Sequence, residues 1–247
     1  MSSQKGKDYY IKNKPMLINQ FENMLKIVKD LLLESENVGE SKAKDLINQM
    51  RKEYEEMLGN MTNIGGRRNF LISVLIEKVS LLAVYRILEK EGYSYREIGE
   101  FSNGYKEIET KIAMERADKE GTKLIDVVFG EAYINFLKKH CATSQKREYP
   151  DNWVMEFVDG TNEDFDYGLN VSECGILKAY KNFGAEKYVP FACLLDLAQS
   201  HVLGFKLWRN HTLANGGPGC DHRFTRNGIT PKAWPPENTK EYKKRFE

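Results

Sequence analysis

The spacing of apolar residues changes near Pro150, and this change limits the folds open to the chain. Before it the sequence is rich in Lys, Glu, Leu and Met, and apolar residues recur at helical intervals. After it come short aromatic and β-branched runs broken by Gly and Pro, alternating as half-buried strands do. A boundary at roughly 145–152 divides a helical region, 1–148, from a region of mixed structure, 149–234. The polar stretch 235–247 reads as a loose tail.

In the first region the stripe Tyr10, Leu17, Phe21, Met24, Leu25, Val28 and Leu31 predicts a helix from Asp8 to about Ser35. A second helix is expected over Glu40–Leu58 and a third over Phe70–Leu88. The third is apolar on nearly every side and should be central, with Gly92 ending it. Ser94 and Glu97 have capping-box spacing, so another helix starts there, and one more fits Lys123 to about Lys139. In the second region WVMEFVDG and FDYGLNVS read as a β-hairpin. Two helices follow, ECGILKAYKNFGA and YVPFACLLDLAQSHVLG. Then come two strands, FKLWRNHTLANGG and CDHRFTRNG, with GGPG as the turn. The expected class is α+β: a helical region packed on a ββααββ unit with a four-stranded antiparallel sheet.

The bulk properties exclude several functions. A length of 247 residues suffices for a real core, and 30% charged with 41% hydrophobic residues is an ordinary globular balance. A net charge of +1 argues against nucleic acid as a partner. The most apolar run, Phe70–Tyr85, is too short for a bilayer and carries Glu77 and Lys78, so no membrane role is expected. No secretory signal pattern opens the sequence, which points to the cytoplasm. The 4 cysteines form no CxxC pair, and disulfides are not expected.

Three of the four thiols sit where chemistry is plausible. Cys174 opens a helix, where the dipole should lower its pKa. Cys193 and Asp196 share a face of the next helix, from which His201 lies off. Asp196 is the strongest signal, because a carboxylate inside FACLLDLA needs a partner, a ligand or a catalytic role. Cys220 begins the last strand. Cys141 has nothing near it and receives no role. The segment HTLANGGPGCDHRF gathers His211, Cys220, Asp221, His222 and Arg223, but strand alternation sends Cys220, His222 and Phe224 one way and Asp221 and Arg223 the other. A single His–Cys–Asp triad is thereby excluded. At Asn63-Ile64-Gly65-Gly66 a turn is expected; its backbone amides, with Arg67 and Arg68, suit an anion.

The pieces EFVDG, FDYGLNVSEC, FGAEKYVPFACLLD and TLANGGPGCDHRF, with NIGGRRN, resemble the L-2-amino-thiazoline-4-carboxylic acid hydrolase family. The shared core is Cys174, Cys193, Asp196, Thr212-Leu213-Ala214, Gly216, Cys220-Asp221, Arg223 and Phe224; His222 replaces an expected aromatic residue, and His211 lies outside the motif. The C-terminal half also resembles 4-vinyl-reductase-type ligand-binding domains. The first resemblance implies hydrolytic opening of a thiazoline ring at its amidine carbon, giving an N-carbamoyl-cysteine-like product. Cys174, Cys193 and Cys220 are then the candidate nucleophiles and Asp196 the base or water-orienting group. Candidate substrate contacts are Gly65, Gly66, Arg67, His201, Thr212, Asp221 and Arg223, with the substrate carboxylate falling to Arg223 or a loop arginine. The expected partner is a small carboxylate, and a homodimer is the oligomer to look for. No cofactor is required. The alternative is a non-enzymatic sensor with a zinc site built from Cys174, Cys193, Asp196 and Cys220, although zinc ribbons use closely paired ligands.

Overall fold

The computed structural model describes residues 9–35, 37–161 and 163–239. Helix α1 (Lys14–Leu33) carries Pro15 in its first turn and buries Leu17, Phe21, Leu25, Val28 and Leu32 at helical spacing. Against it lies α2 (Glu40–Leu58), with Ala43, Leu46, Met50 and Tyr54 inward. Helix α3 (Ile72–Lys90) is buried on almost every side and is the central helix that its composition predicts. Next is α4 (Tyr95–Lys119), whose N-terminus is the expected capping box: Ser94 and Glu97 satisfy one another's backbone amides.

The helix expected over Lys123–Lys139 is two helices, α5 (Leu124–Val128) and α6 (Glu131–Ser144). Gly130 separates them and packs tightly on the preceding turn, where a Cβ would lie 2.8 Å from the Asp126 carbonyl oxygen.

The second half follows the ββααββ order. Strands β1 (Val154–Asp159) and β2 (Tyr167–Glu173) form the hairpin; α7 (Gly175–Asn182) and α8 (Val189–Leu203) follow, then β3 (Lys206–Trp208) and β4 (Cys220–Thr225). All pairings are antiparallel, in the order β1-β2-β4-β3. The protein is therefore α+β. Val171, Leu169 and Tyr167 of β2 stand opposite Cys220, His222 and Phe224, while Asn170 and Gly168 stand opposite Asp221 and Arg223. The expected alternation holds. On the first face the rings of Phe157, Tyr167, Phe224 and His222 stack in succession.

One strand is shorter than its sequence suggests. β3 stops at Trp208, and GGPG is not a tight turn between strands. The Asp221 carboxylate takes the backbone amides of Asn210 and His211 at 3.0 Å each, removing them from the ladder. Leu213–Asn215 then forms a 3-10 turn that ends at Gly216, whose φ of 78° suits glycine. The described part of the tail also differs from the sequence reading. Asp8 and residues 240–247 lie outside the described residues, but the described part of the tail is anchored: Pro236 is buried and Arg96 grips Glu237 at 2.6 Å.

A continuous apolar core joins Tyr10 of the first half to Ala233 of the second, and α4 lies along α8. Among the described residues no helix is long and apolar enough to cross a membrane.

Candidate active site

Helix α8 supplies Cys193 and Asp196 from one face, as their spacing requires. Just beyond β3, Arg209 turns back onto that face. Its Nη2 donates to the Cys193 carbonyl oxygen at 2.7 Å, and its Nη1 lies 3.3 Å from Asp196 Oδ2 and 3.0 Å from His222 Nε2. A guanidinium can only donate, so His222 Nε2 accepts and a neutral ring carries its proton on Nδ1. That Nδ1 and the Thr212 hydroxyl are buried and have no hydrogen-bond partner among the described residues. Cys174 is the N-cap residue of α7, and Cys220 Sγ accepts the Leu213 amide at 3.3 Å.

These side chains form a partly accessible cluster, a recess around Asp196 only in the sense that its carboxylate stays open to solvent. Arg209 is 0% exposed, yet Asp196 keeps 43% of its side chain accessible, and Cys174 and Cys193 are half-buried. Burial opposes the Asp196 charge, but Lys78 and Arg209 outweigh it and hold the carboxyl well below the usual carboxylate range. Asp196 is therefore an ionised group and a weak base. The thiols behave oppositely. Burial pushes Cys174 up to about 12, against the pull of the Leu177 and Ile176 amides, and the neighbouring Cys220 and Asp196 add to the rise. The lowering expected from the helix terminus is overturned, because desolvation of a thiolate exceeds the help of two amides. Burial likewise raises Cys193 well above an ordinary thiol, with Arg209 opposing. Among the described residues no three His, Cys, Asp or Glu side chains are arranged to hold a metal ion.

The remaining sequence candidates lie elsewhere or serve the scaffold. Gly65 and Gly66 have φ of 98° and 56°, and a Cβ on them would stand 2.7 Å from the Tyr149 ring and 3.0 Å from the Tyr9 ring. Arg67 is exposed, and Arg68 lines a separate cavity of about 160 Å3 with His140 and Tyr149. His201 Nδ1 meets the Thr230 carbonyl at 2.7 Å, away from the cysteines. Thr212 is fully buried. Asp221 and Arg223 line a hollow of about 860 Å3 with His211 and Asn170; Cys220 borders it, but Cys174, Cys193 and Asp196 do not. Arg223 is held there by Asn170 Oδ1 at 3.0 Å and by the Phe165 ring.

The family model for L-2-amino-thiazoline-4-carboxylic acid hydrolase matches residues 74–224, more than half of the chain and every residue of the recess. The chain belongs to this family. Comparison with curated proteins and with solved structures returned no match. Membership in the L-2-amino-thiazoline-4-carboxylic acid hydrolase family indicates a hydrolase-like function. It also frames what motif reading overlooks. Arg209 braces the recess from just beyond β3, a strand whose shortness hides its role. Lys78 and Glu77 approach it from α3, and Lys106 of α4 pairs with Glu77 at 3.0 Å. Their signal was present: two opposite charges interrupt the otherwise apolar Phe70–Tyr85 run.

Proposed function

We propose that the recess opens a small cyclic amidine, of the 2-amino-thiazoline-4-carboxylate type, to an N-carbamoyl-cysteine-like product. One observation carries this reading: an accessible, firmly ionised Asp196 stands beside thiols that rest protonated. An amidinium is a planar cation with N–H donors, and a fixed carboxylate is its natural partner. Asp196 thus orients the amidine, while Arg209, itself held by His222 Nε2, holds Asp196 in place. Its low pKa argues against the role of general base.

Cys174 is the favoured nucleophile, because the Ile176 and Leu177 amides at the start of α7 are set to hold a thiolate. A buried thiol gives up its proton when the neutral amidine arrives to accept it and the cation so formed replaces the lost solvation. The proton passes to the ring nitrogen of the substrate, producing amidinium and thiolate together. Sγ bonds to the amidine carbon, the ring C–S bond breaks, and the leaving sulfur takes the proton from nitrogen. Water then adds to the same carbon and expels Sγ. Its oxygen becomes the carbamoyl oxygen, and its protons finish on Sγ and on the product nitrogen. One water is consumed and nothing is oxidised or reduced.

The test is ring opening of L-2-amino-thiazoline-4-carboxylate by purified protein, followed by appearance of free thiol. Cys174→Ser is expected to lose about 1000-fold in kcat, and Asp196→Asn to lose activity mainly through KM. Full activity in Cys174→Ser removes that cysteine as nucleophile; an inactive wild-type protein removes the hydrolase reading.

A further inference from the structure

The hollow of about 860 Å3 takes no part in the chemistry above. It lies on the other face of the sheet. Alternation along β4 turns His222 toward Asp196 of α8, 3.8 Å away, and Arg223 to the opposite side. Its walls include Lys138 of α6, Gln145 at the end of that helix, Glu156 of β1, Asn170 of β2, and His211 and Arg223.

Arg223 is seated in this hollow by the protein itself. β2 leaves room for it: a Cβ on Gly168 would stand 2.9 Å from both Cδ and Nη1 of Arg223. Nη2 donates to Asn170 Oδ1 at 3.0 Å, Nη1 donates to the His222 carbonyl at 2.9 Å, and Cζ lies 5.1 Å from the centre of the Phe165 ring. All three partners are neutral. Asn170 stands between the guanidinium and Glu156, to which its amide nitrogen donates at 3.4 Å, so its oxygen is fixed toward Arg223. Asp221, on the same face, is spent on the Asn210 and His211 amides at 3.0 Å each. Lys138 is already paired with Asp159 at 3.2 Å. Among the described residues no carboxylate pairs with Arg223. Its fork is half-buried, fixed in orientation by neutral groups, and left with N–H donors to spare.

We infer that the hollow is a second ligand site, separate from the recess, in which Arg223 takes the oxyanion of an organic acid. A planar fork matches a carboxylate or a phosphate through two parallel N–H bonds. Fixing the fork in advance lowers the ordering cost of binding. The space is far larger than an oxyanion alone fills and falls within the range of small-molecule pockets, about 300–1,000 Å3. Met155, Phe157 and Val171 add apolar lining for a carbon body. The class expected is therefore an organic carboxylate or phosphate ester with an apolar body. Arg223 serves this ligand and not the one that meets Asp196.

Benzoate, phenyl phosphate and benzyl alcohol share a ring and differ in the group offered to Arg223. Titration of the full chain, followed through the Nε–H NMR signal of Arg223, tests the site without turnover. At least one of the two anions is expected to move that signal saturably, with Kd near or below about 1 mM, while benzyl alcohol leaves it in place. The tighter of the two anions tells a carboxylate from a phosphate ester, and either supports the site. Saturation transfer to the ring protons of the ligand gives the affinities of variants. Arg223→Gln should weaken anion binding at least about 10-fold. Asn170→Asp, which sets a carboxylate on Arg223 with little change of shape, should weaken it as much and keeps the test open if Arg223→Gln does not fold. Asp196→Asn, on the other face, should leave anion binding unchanged. An Arg223 signal that neither anion moves overturns the site, as does an equal response to benzyl alcohol or wild-type affinity in Asn170→Asp. Binding that is lost in Asp196→Asn and kept in Arg223→Gln puts the anion in the recess and overturns the inference. None of these outcomes bears on ring opening.

Discussion

Arg209 is fully buried, and its fork reaches three acceptors from two elements: the Cys193 carbonyl, the Asp196 carboxylate and His222 Nε2. Such a residue fixes the recess by geometry as much as by charge. Replacing it with Met would leave Asp196 without the guanidinium and strand two buried acceptors. The expected cost is about 1–3 kcal/mol of unfolding free energy, the usual result of stranding a buried acceptor, because the partly exposed Asp196 can be resolvated. Arg209→Lys should recover little, because an ammonium cannot present the planar fork. Denaturant unfolding of the two variants checks this; a loss below about 1 kcal/mol in Arg209→Met would show that the bracing is unimportant.

The elements show what the sequence reveals and what it hides. Periodicity marks the helices, the hairpin and the ββααββ order, because burial of one face leaves a repeating trace along the chain. The alternation around His222 separates Cys220 from Asp221 correctly for the same reason. The GGPG segment misleads, since a single carboxylate, Asp221, captures two amides and ends β3 early; no local pattern announces a long-range bond of that kind. Cys174 misleads in another way. Its place at the start of α7 is legible, but its burial depends on what packs above it. That packing is itself testable. Gly175, next to Cys174, has no room for a side chain: a Cβ would lie 2.5 Å from the Trp153 ring. Gly175→Ala should therefore push the start of α7 off Trp153 and carry Cys174 with it. The prediction is a fall in ring-opening rate of at least about 10-fold, since a displacement of the order of 1 Å at a reacting group costs this much or more. The comparison that decides is with Gly39→Ala, at the start of α2, where a Cβ would meet no atom within 4 Å and the backbone is extended. Equal rates in the two variants would mean that the Trp153 contact does not position Cys174.

At the scale of the whole molecule, the buried charges and thiols set the pH range over which the fold is stable. Asp196 and Glu77 are both held below the ordinary carboxylate range: burial opposes each, and cations outweigh it, Lys78 and Arg209 for Asp196 and Lys78 and Lys106 for Glu77. A carboxyl with a depressed folded pKa contributes stability that is complete above its unfolded value, about 4. That contribution disappears as pH falls through the folded value. The acid limb should thus begin near pH 4 and continue well below it, and Asp196→Asn should flatten it. The alkaline limb follows from the opposite shift. Burial raises Cys174 to about 12, so the folded state keeps a proton that the unfolded chain releases from about pH 8.5 upward. Stability from this source is complete below pH 8.5 and is lost as pH rises toward the folded value; Cys193, also raised, acts in the same direction. Buried tyrosines join only at higher pH: burial, opposed by Ser80, takes Tyr54 up to about 12 from an ordinary value near 10. The thiols should therefore open the alkaline limb and the tyrosines steepen it. Denaturant midpoints measured from pH 3 to pH 11 are expected to show a plateau between about pH 4 and pH 8.5. Burial takes Cys141 up to about 11 as well, so in the triple variant Cys141→Ser, Cys174→Ser, Cys193→Ser the upper edge should move toward pH 10, where tyrosine ionisation begins in the unfolded chain. An upper edge that stays near pH 8.5 in the triple variant would place its origin outside these thiols.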